Sequence, residues 1–173
     1  MELMSAMGRL AARRCKMSGQ CVCFLKRFLW EVWIMSKTSC KTYFSIIGDF
    51  DLNDLSEILK MKNTGGHNIG EEKQYGSGLY DWSNWEFGTE YIETVEGIEQ
   101  AELVLTPFIS KISELLFIKH KYKCRFVLEQ VPIIEEGFTP SLGFSNVVID
   151  FCAKTGTEID IDLYVNPYIS NME

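Results

Sequence analysis

A long helical stretch between strand-like segments is the feature that most limits what this chain can fold into. Between Thr94 and Lys119 the apolar residues recur at steps of three and four, which is the spacing of a helix that buries one face. Pro107 lies inside this stretch and lacks a backbone N–H, so we expect the helix to be kinked or split in two. Such a helix needs other elements to cover its apolar face, and the sequence on both sides of it is strand-like.

Four segments have the composition or the alternation of strands. They are Cys40–Ile47, the aromatic segment Leu79–Phe87, the long apolar run Cys124–Ile134 and the strictly alternating segment Glu158–Val165. Turn-forming residues separate them, since Asn63–Gly70 is rich in glycine and asparagine and predicts a turn. A second punctuated stretch predicts a loop or a short strand at Gly137, Pro140 and Gly143.

Two shorter helices complete the pattern. Asp51 is suited to cap the first, and Leu52, Leu55, Ile58 and Leu59 form its apolar stripe. The second is predicted over Asn146–Lys154 and ends at Gly156, with a stripe of Val147, Ile149, Phe151 and Cys152. This mixture contains too few regular βαβ units for a doubly wound sheet, so it indicates the α+β class. We expect a mainly antiparallel sheet with helices packed on one face.

The charge is distributed unevenly along the 173 residues, which suffice for one domain with a core of its own. The net charge of the chain is −7, but residues 1–34 carry +4, so the remainder carries −11. A body this acidic repels phosphate backbones, and we therefore expect no direct nucleic-acid binding. The same charge would attract a basic protein partner.

Residues 1–34 form a leader that differs in composition from residues 35–173, which we expect to be a single α+β domain. The apolar run Cys21–Ile34 is interrupted by Lys26, Arg27 and Glu31, is too short to span a bilayer and lacks a signal cleavage site. Three interpretations stay open: translation that begins at Met35, a basic segment on a membrane surface, and an organelle transit peptide. We prefer a start-site artefact, or a disordered leader, and we expect no membrane association.

The cysteines and glycines predict neither disulfides nor a cofactor site. Half of the six cysteines lie in the leader, and the others sit in the domain at Cys40, Cys124 and Cys152. Free cysteine in an apolar run behaves as a small hydrophobe, which favours a reduced, cytoplasmic protein. Gly65-Gly66 lacks the lysine and hydroxyl of a phosphate loop, and no cysteine pair has zinc spacing, so we predict no cofactor and no metal.

Three stretches taken together resemble a bacterial family that is known as domain of unknown function 4279. They are Tyr43–Phe50 (YFSIIGDF), the strand around Trp82 and Trp85, and Thr157–Tyr164 (TEIDIDLY), of which the last is the most specific. The resemblance covers roughly Thr38 to Val165 and excludes the leader. It implies a bacterial source and therefore favours translation from Met35 over a transit peptide. It implies no catalytic residue, because none is established for the family.

The acidic strand at the C-terminal end is the strongest candidate for a binding or catalytic site. A period of two places Glu158, Asp160, Asp162 and Tyr164 on one face, with the apolar residues on the other. Successive carboxylates on that face lie about 7 Å apart, so they could bind a cation or serve as an acid and a base. A solvated sheet face, or a face that binds a basic partner, explains the same pattern.

Two further residues are candidate binding residues. His67 lies in a glycine-rich stretch where a ligand or catalytic side chain could sit, although the ordinary interpretation is a surface histidine. Trp85 could stack on a ligand, but its offset of three from Trp82 places the two rings on opposite faces of a strand, so that one is expected in the core.

The sequence therefore favours a non-enzymatic domain that binds a basic protein, for example an immunity protein that neutralises a basic toxin. The alternative is a small-molecule- or metal-dependent enzyme that combines His67 with Glu158, Asp160 or Asp162 in one pocket. A third possibility is a structural or regulatory dimer that pairs through a sheet edge, so we expect a monomer or a weak dimer. No catalytic residue is predicted.

Overall fold

The computed structural model describes residues 38–93, 98–135 and 142–166. The predicted leader lies outside the described residues, and so do Gly137 and Pro140 of the predicted loop. Within these ranges the chain forms four helices and seven strands, and all seven strands belong to one sheet.

The sheet is organised around one central strand. Its strands are β1 (Ser39–Gly48), β2 (Gly65–His67), β3 (Ser83–Gly88), β4 (Ile92–Glu93), β5 (Arg125–Glu135), β6 (Glu158–Ile161) and β7 (Tyr164–Asn166). The order is β2–β3–β1–β5–β6, and β4 and β7 pair with β1 and β5 respectively. β1 is antiparallel to both of its main neighbours, whereas β6 and β7 run parallel to β5. The predicted α+β fold with a mainly antiparallel sheet is confirmed.

Four helices cover one face of this sheet. They are α1 (Leu52–Leu59), α2 (Ile98–Ile109), α3 (Ile112–Tyr122) and α4 (Asn146–Thr155). Each contributes buried apolar side chains to a single core, in which alternate residues of β1, β3 and β5 also lie. Phe44 of β1 is fully buried at its centre, with ring centroids 4.9 Å from Phe108, 5.6 Å from Phe126 and 5.9 Å from Phe151. Burying such a side chain stabilises the fold by roughly 2–3 kcal/mol.

The ends of α1 and α4 follow the sequence signals. The Asp51 side chain accepts a hydrogen bond from the backbone N–H of Asn53, as expected of an N-cap. α4 ends at Gly156, whose φ of 63° is the left-handed conformation that glycine adopts at little cost. The predicted stripe of α4 is wrong in part, because Val147 and Ile149 are exposed. The buried side chains are Val148, Phe151, Cys152 and Thr155, which follow helical spacing.

The long helical stretch is split, as predicted, but not at the proline. α2 continues through Pro107 to Ile109, and the break falls at Ser110 and Lys111 before α3 begins. Pro107 is tolerated because it lies in the last turn of α2, where only one intrahelical hydrogen bond is lost.

The alternating C-terminal segment is not one continuous strand. β6 and β7 keep the same register along β5, with Glu158 opposite Val127 and Tyr164 opposite Ile133, but Asp162 and Leu163 between them are not in strand conformation. In that register they lie beside Val131 and Pro132. A proline cannot donate a hydrogen bond to a neighbouring strand, which accounts for the interruption at this point.

The segment predicted as a turn, Asn63–Gly70, contains the short strand β2. Gly66 has a φ of 118°, and a Cβ there would overlap the carbonyl oxygen of Asn84 in β3. Glycine therefore allows β2 to approach β3 closely, and composition alone did not reveal this pairing.

Candidate functional site

The sheet places the predicted site residues at opposite edges. His67 lies in β2 at one edge, whereas Glu158 and Asp160 lie in β6 at the other. Three strands separate β2 from β6, which corresponds to roughly 19 Å at the usual spacing between strands. The predicted pocket that combines His67 with the acidic strand is therefore not formed.

The first candidate surface is the edge formed by β6 and β7, which we call the acidic edge and define by Glu158, Asp160, Asp162 and Tyr164. Among the described strands, β6 pairs with β5 alone. The other side of its backbone thus has no strand partner within the described part of the chain. An edge of this kind can accept a further strand, because its backbone N–H and C=O groups are available for pairing.

The carboxylates of the acidic edge are exposed and only weakly engaged. A guanidinium nitrogen of Arg125 lies 3.8 Å from Glu158 Oε2, but both side chains are 59% exposed, so the pair contributes little to stability. Tyr164 Oη donates a hydrogen bond of 2.6 Å to Asp162 Oδ2, which raises the pKa of the tyrosine. Asp160 has no side-chain hydrogen bond or ion pair with another described residue. These charges are accordingly accessible to a partner.

The apolar side chains of the same segment are exposed as well. Ile159 and Ile161 lie on the helix-covered side of the sheet, opposite Leu128 and Gln130 of β5, yet they are 39% and 36% exposed. Leu163 and Val165 are also exposed. The acidic edge thus presents carboxylates on one face and aliphatic side chains on the other.

Trp85 belongs to the core and is not available to a ligand. Its side chain is fully buried, and Nε1 donates a hydrogen bond of 3.0 Å to Ser56 Oγ in α1. Trp82 lies just before β3 and is 48% exposed, so one of the two rings lies in the core and the other does not, as expected. The candidate binding role of Trp85 is wrong because its position in β3 directs it toward the helices.

The second candidate surface is a cavity beside His67, which we call the β2 cavity. A hairpin-like segment forms one wall, in which Gly70 N donates to Tyr80 O and Tyr80 N donates to Glu71 O, each at 2.9 Å. The cavity has a volume of about 330 Å³, at the lower end of the range for ligand sites. It is lined by Gly66, His67, Glu71, Glu72, Gln74, Tyr80 and Glu86.

His67 is held in this cavity by stacking. Its ring lies parallel to that of Tyr80, with a centroid distance of 3.4 Å and an interplanar angle of 14°. Burial lowers the pKa of the imidazole, although the charge of Glu71 and the backbone of Trp82 act in the opposite direction. A neutral imidazole has one nitrogen that can accept a hydrogen bond. The buried Nε2 atom has no hydrogen-bond partner.

Glu86 of β3 supplies a half-buried carboxylate to the same cavity. Burial raises the pKa of this group, and the nearby charge of Lys41 lowers it again in part. Asn84 donates a hydrogen bond of 2.7 Å to Glu86 Oε1, while its own Oδ1 is buried without a partner. Ser45 lies directly opposite Glu86 in the β1–β3 register, and its fully buried Oγ has no partner either.

Sequence reasoning identified His67 but missed the carboxylates that accompany it. Glu86 alternates with the buried Trp85 in β3, so period-two geometry could have placed it on the face opposite the helices. Its approach to His67 depends on the pairing of β2 with β3, which the turn-like composition of Asn63–Gly70 concealed. Glu71 and Tyr80 come together through loop geometry, for which the sequence carried no signal.

Metal and thiol chemistry find little support in the described residues. Among these, no group of three or more His, Cys, Asp or Glu side chains is placed to hold a metal ion. Cys40, Cys124 and Cys152 are free and buried. Burial raises the pKa of each thiol, which disfavours the reactive thiolate. Within the described ranges, no helix is both long and apolar enough to cross a bilayer.

An open, mainly antiparallel sheet with helices on one face and acidic groups at both edges defines a small α+β domain. The chain belongs to the family described as domain of unknown function (DUF4279), whose family model matches residues 38–166. The match confirms the resemblance drawn from Tyr43–Phe50, the tryptophan strand and Thr157–Tyr164. No curated protein and no solved structure is significantly similar to the chain.

Proposed function

We propose that this protein is a non-enzymatic binding domain that recognises a basic protein partner through the acidic edge. One observation carries the proposal: an edge strand with a single described strand partner also presents exposed carboxylates. Backbone groups at such an edge provide affinity by pairing with an added strand, and side chains at alternate positions provide selectivity.

The charge of the domain supports this proposal. Residues outside the leader carry a net charge of −11, so a basic partner would be attracted over a distance before contact. Complementary charge mainly increases the association rate, and salt weakens this contribution. A bacterial immunity protein that neutralises a basic toxin would use these properties, and we propose this as the most specific form of the function.

The aliphatic face of the acidic edge adds a second source of binding energy. Ile159, Ile161 and Leu163 together expose apolar area beside the side of β6 that pairs with no described strand. A partner strand that alternates basic and apolar residues would match both faces at once. This alternation also distinguishes the proposed partner from a polyanion or a neutral peptide.

The experiment is affinity capture with the full chain from the lysate of a native host, followed by a test of the surface. The double variant Asp160→Asn with Asp162→Asn removes two charges from the acidic edge. Glu57→Gln with Asp150→Asn is the matched control, since both are exposed and lie on helices. We expect a stoichiometric basic partner that is lost with the edge variant and kept with the control.

Two results would contradict the proposal. Equal capture by the edge variant and the wild type would move the interface away from β6. Self-association through the same edge, seen as a dimer in sedimentation, would replace the basic partner with a second copy of the chain.

A further inference from the structure

The lining of the β2 cavity includes a buried polar atom that has no partner, His67 Nε2. Asn84 Oδ1 and Ser45 Oγ, which lie beside the cavity in the sheet but do not line it, are also buried without a hydrogen bond. They occupy neighbouring positions on one face of the sheet, because His67 pairs with Asn84 and Ser45 pairs with Glu86. An unpartnered buried acceptor costs roughly 1–3 kcal/mol. His67 Nε2 and the Glu86 carboxylate line the same cavity, so this unpartnered acceptor indicates a place where a ligand supplies the missing donor.

The charges around the cavity determine whether that ligand is a cation or an anion. Glu71, Glu72 and Glu86 line it, and among the described residues no lysine or arginine does. Lys41 acts on Glu86 from β1 but is not among the lining residues. A ligand that enters must therefore compensate carboxylate charge and donate hydrogen bonds, which an anion or an apolar molecule cannot do.

We propose that the β2 cavity binds a small organic cation through an ammonium or guanidinium group, with Glu86 as the principal counter-charge and His67 Nε2 as an acceptor. A bare metal ion fits less well, since no metal-holding group of side chains exists in the described residues and the volume of about 330 Å³ suits a molecule. Glu71 and Glu72 at the rim attract the cation. This site lies at the edge opposite to the acidic edge and is independent of the proposed protein-binding function.

The test is a titration of the full chain with agmatine, which carries both cationic groups, followed through the imidazole signals in NMR. The chain has two histidines, His67 and His120, so the two sets of signals can be assigned with a single variant. We expect saturable shifts of the His67 signals and little change at His120. 1,4-Butanediol, a neutral diol with the same four-carbon chain, should shift the signals of neither histidine.

Two variants separate binding from folding. His67→Phe keeps a ring that can stack on Tyr80 but removes the acceptor, and Glu86→Gln removes the counter-charge while keeping the shape. The affinity measured by calorimetry should fall about tenfold or more for Glu86→Gln, since hydrogen bonds to charged groups are strong. It should fall for His67→Phe as well, and His120→Gln should leave it unchanged. Thermal unfolding of each variant checks that the fold is retained.

An acetylated and amidated arginine serves as a second probe, because a guanidinium can also come from the side chain of a protein. Tighter binding of agmatine identifies a free small molecule, and tighter binding of the capped arginine identifies a protein side chain. Absence of saturable binding of both probes at millimolar concentration would overturn the proposal. Equal binding of the neutral diol, or unchanged affinity in Glu86→Gln, would also overturn it.

Discussion

The two neighbouring tryptophans of the β3 region give the sharpest test of which aromatic residue belongs to the core. Trp85 is fully buried, and its Nε1 donates to Ser56 Oγ at 3.0 Å, whereas Trp82 is 48% exposed. The substitutions Trp85→Phe and Trp82→Phe make the same change of side chain at positions only three residues apart. The structure predicts very different losses in the free energy of unfolding for the two variants.

The cost of Trp85→Phe has two parts. Losing the hydrogen bond to Ser56 removes about 1 kcal/mol. Ser56 Oγ keeps its own hydrogen bond of 2.9 Å to Leu52 O but loses the donor that it accepted from. The smaller ring also leaves a cavity between Phe108 and Phe87, which adds about 1–2 kcal/mol on the scale of large-to-small core substitutions. The free energy of unfolding should therefore fall by about 2–3 kcal/mol.

The measurement is urea denaturation of both variants, followed by circular dichroism. With a usual dependence of about 1–3 kcal/mol per molar urea, the midpoint of Trp85→Phe should fall by about 1 M or more. Trp82→Phe should stay within about 0.5 kcal/mol of the wild type, as surface substitutions usually do. Equal midpoints for the two variants would refute the assignment of Trp85 to the core.

Three further predictions concern the β2 cavity and the buried thiols. Glu86→Gln should match the wild type in stability near pH 4 and exceed it at pH 7. The pKa of Glu86 is raised in the folded protein, so ionisation of this group favours the unfolded chain as the pH rises. Thermal unfolding of both proteins at the two pH values checks this. Gly66→Ala should cost at least about 2 kcal/mol, because φ is 118° and the methyl group overlaps Asn84 O; an unchanged melting temperature would contradict the pairing of β2 with β3. Burial raises the pKa of the Cys124 thiol from 9.0 to about 11, so alkylation by iodoacetamide at pH 8 should be at least about a hundredfold slower at Cys124 in the native protein than in urea, as read by peptide mass spectrometry.

Local sequence signals predicted most of the secondary structure. β1, β5, α1 and α4 follow from alternation, apolar spacing and caps such as Asp51 and Gly156, all of which act within a few residues. The failures have non-local causes. Pro132 interrupts the strand that pairs in parallel with β5, so that β6 and β7 are separate. Gly66 permits a strand where composition indicates a turn.

The candidate sites were less predictable because they depend on which strands become neighbours. The acidic face of Glu158 and Asp160 follows from period two alone, and its exposure at an edge follows only from the strand order. His67 could be recognised as a candidate, but its proposed partner Asp160 lies across the sheet. Glu86, which lines the same cavity as His67, comes there through the pairing of β2 with β3, which no pattern in either segment specifies.

The central claim, that the acidic edge binds a basic partner, is tested most directly by hydrogen–deuterium exchange on the full chain with and without the captured partner. Strand addition at β6 would give new hydrogen-bond partners to backbone amides within Glu158–Val165. We predict slower exchange in this segment in the complex, and loss of that protection in the variant with Asp160→Asn and Asp162→Asn. Protection confined to other segments, with unchanged exchange over Glu158–Val165, would contradict the claim.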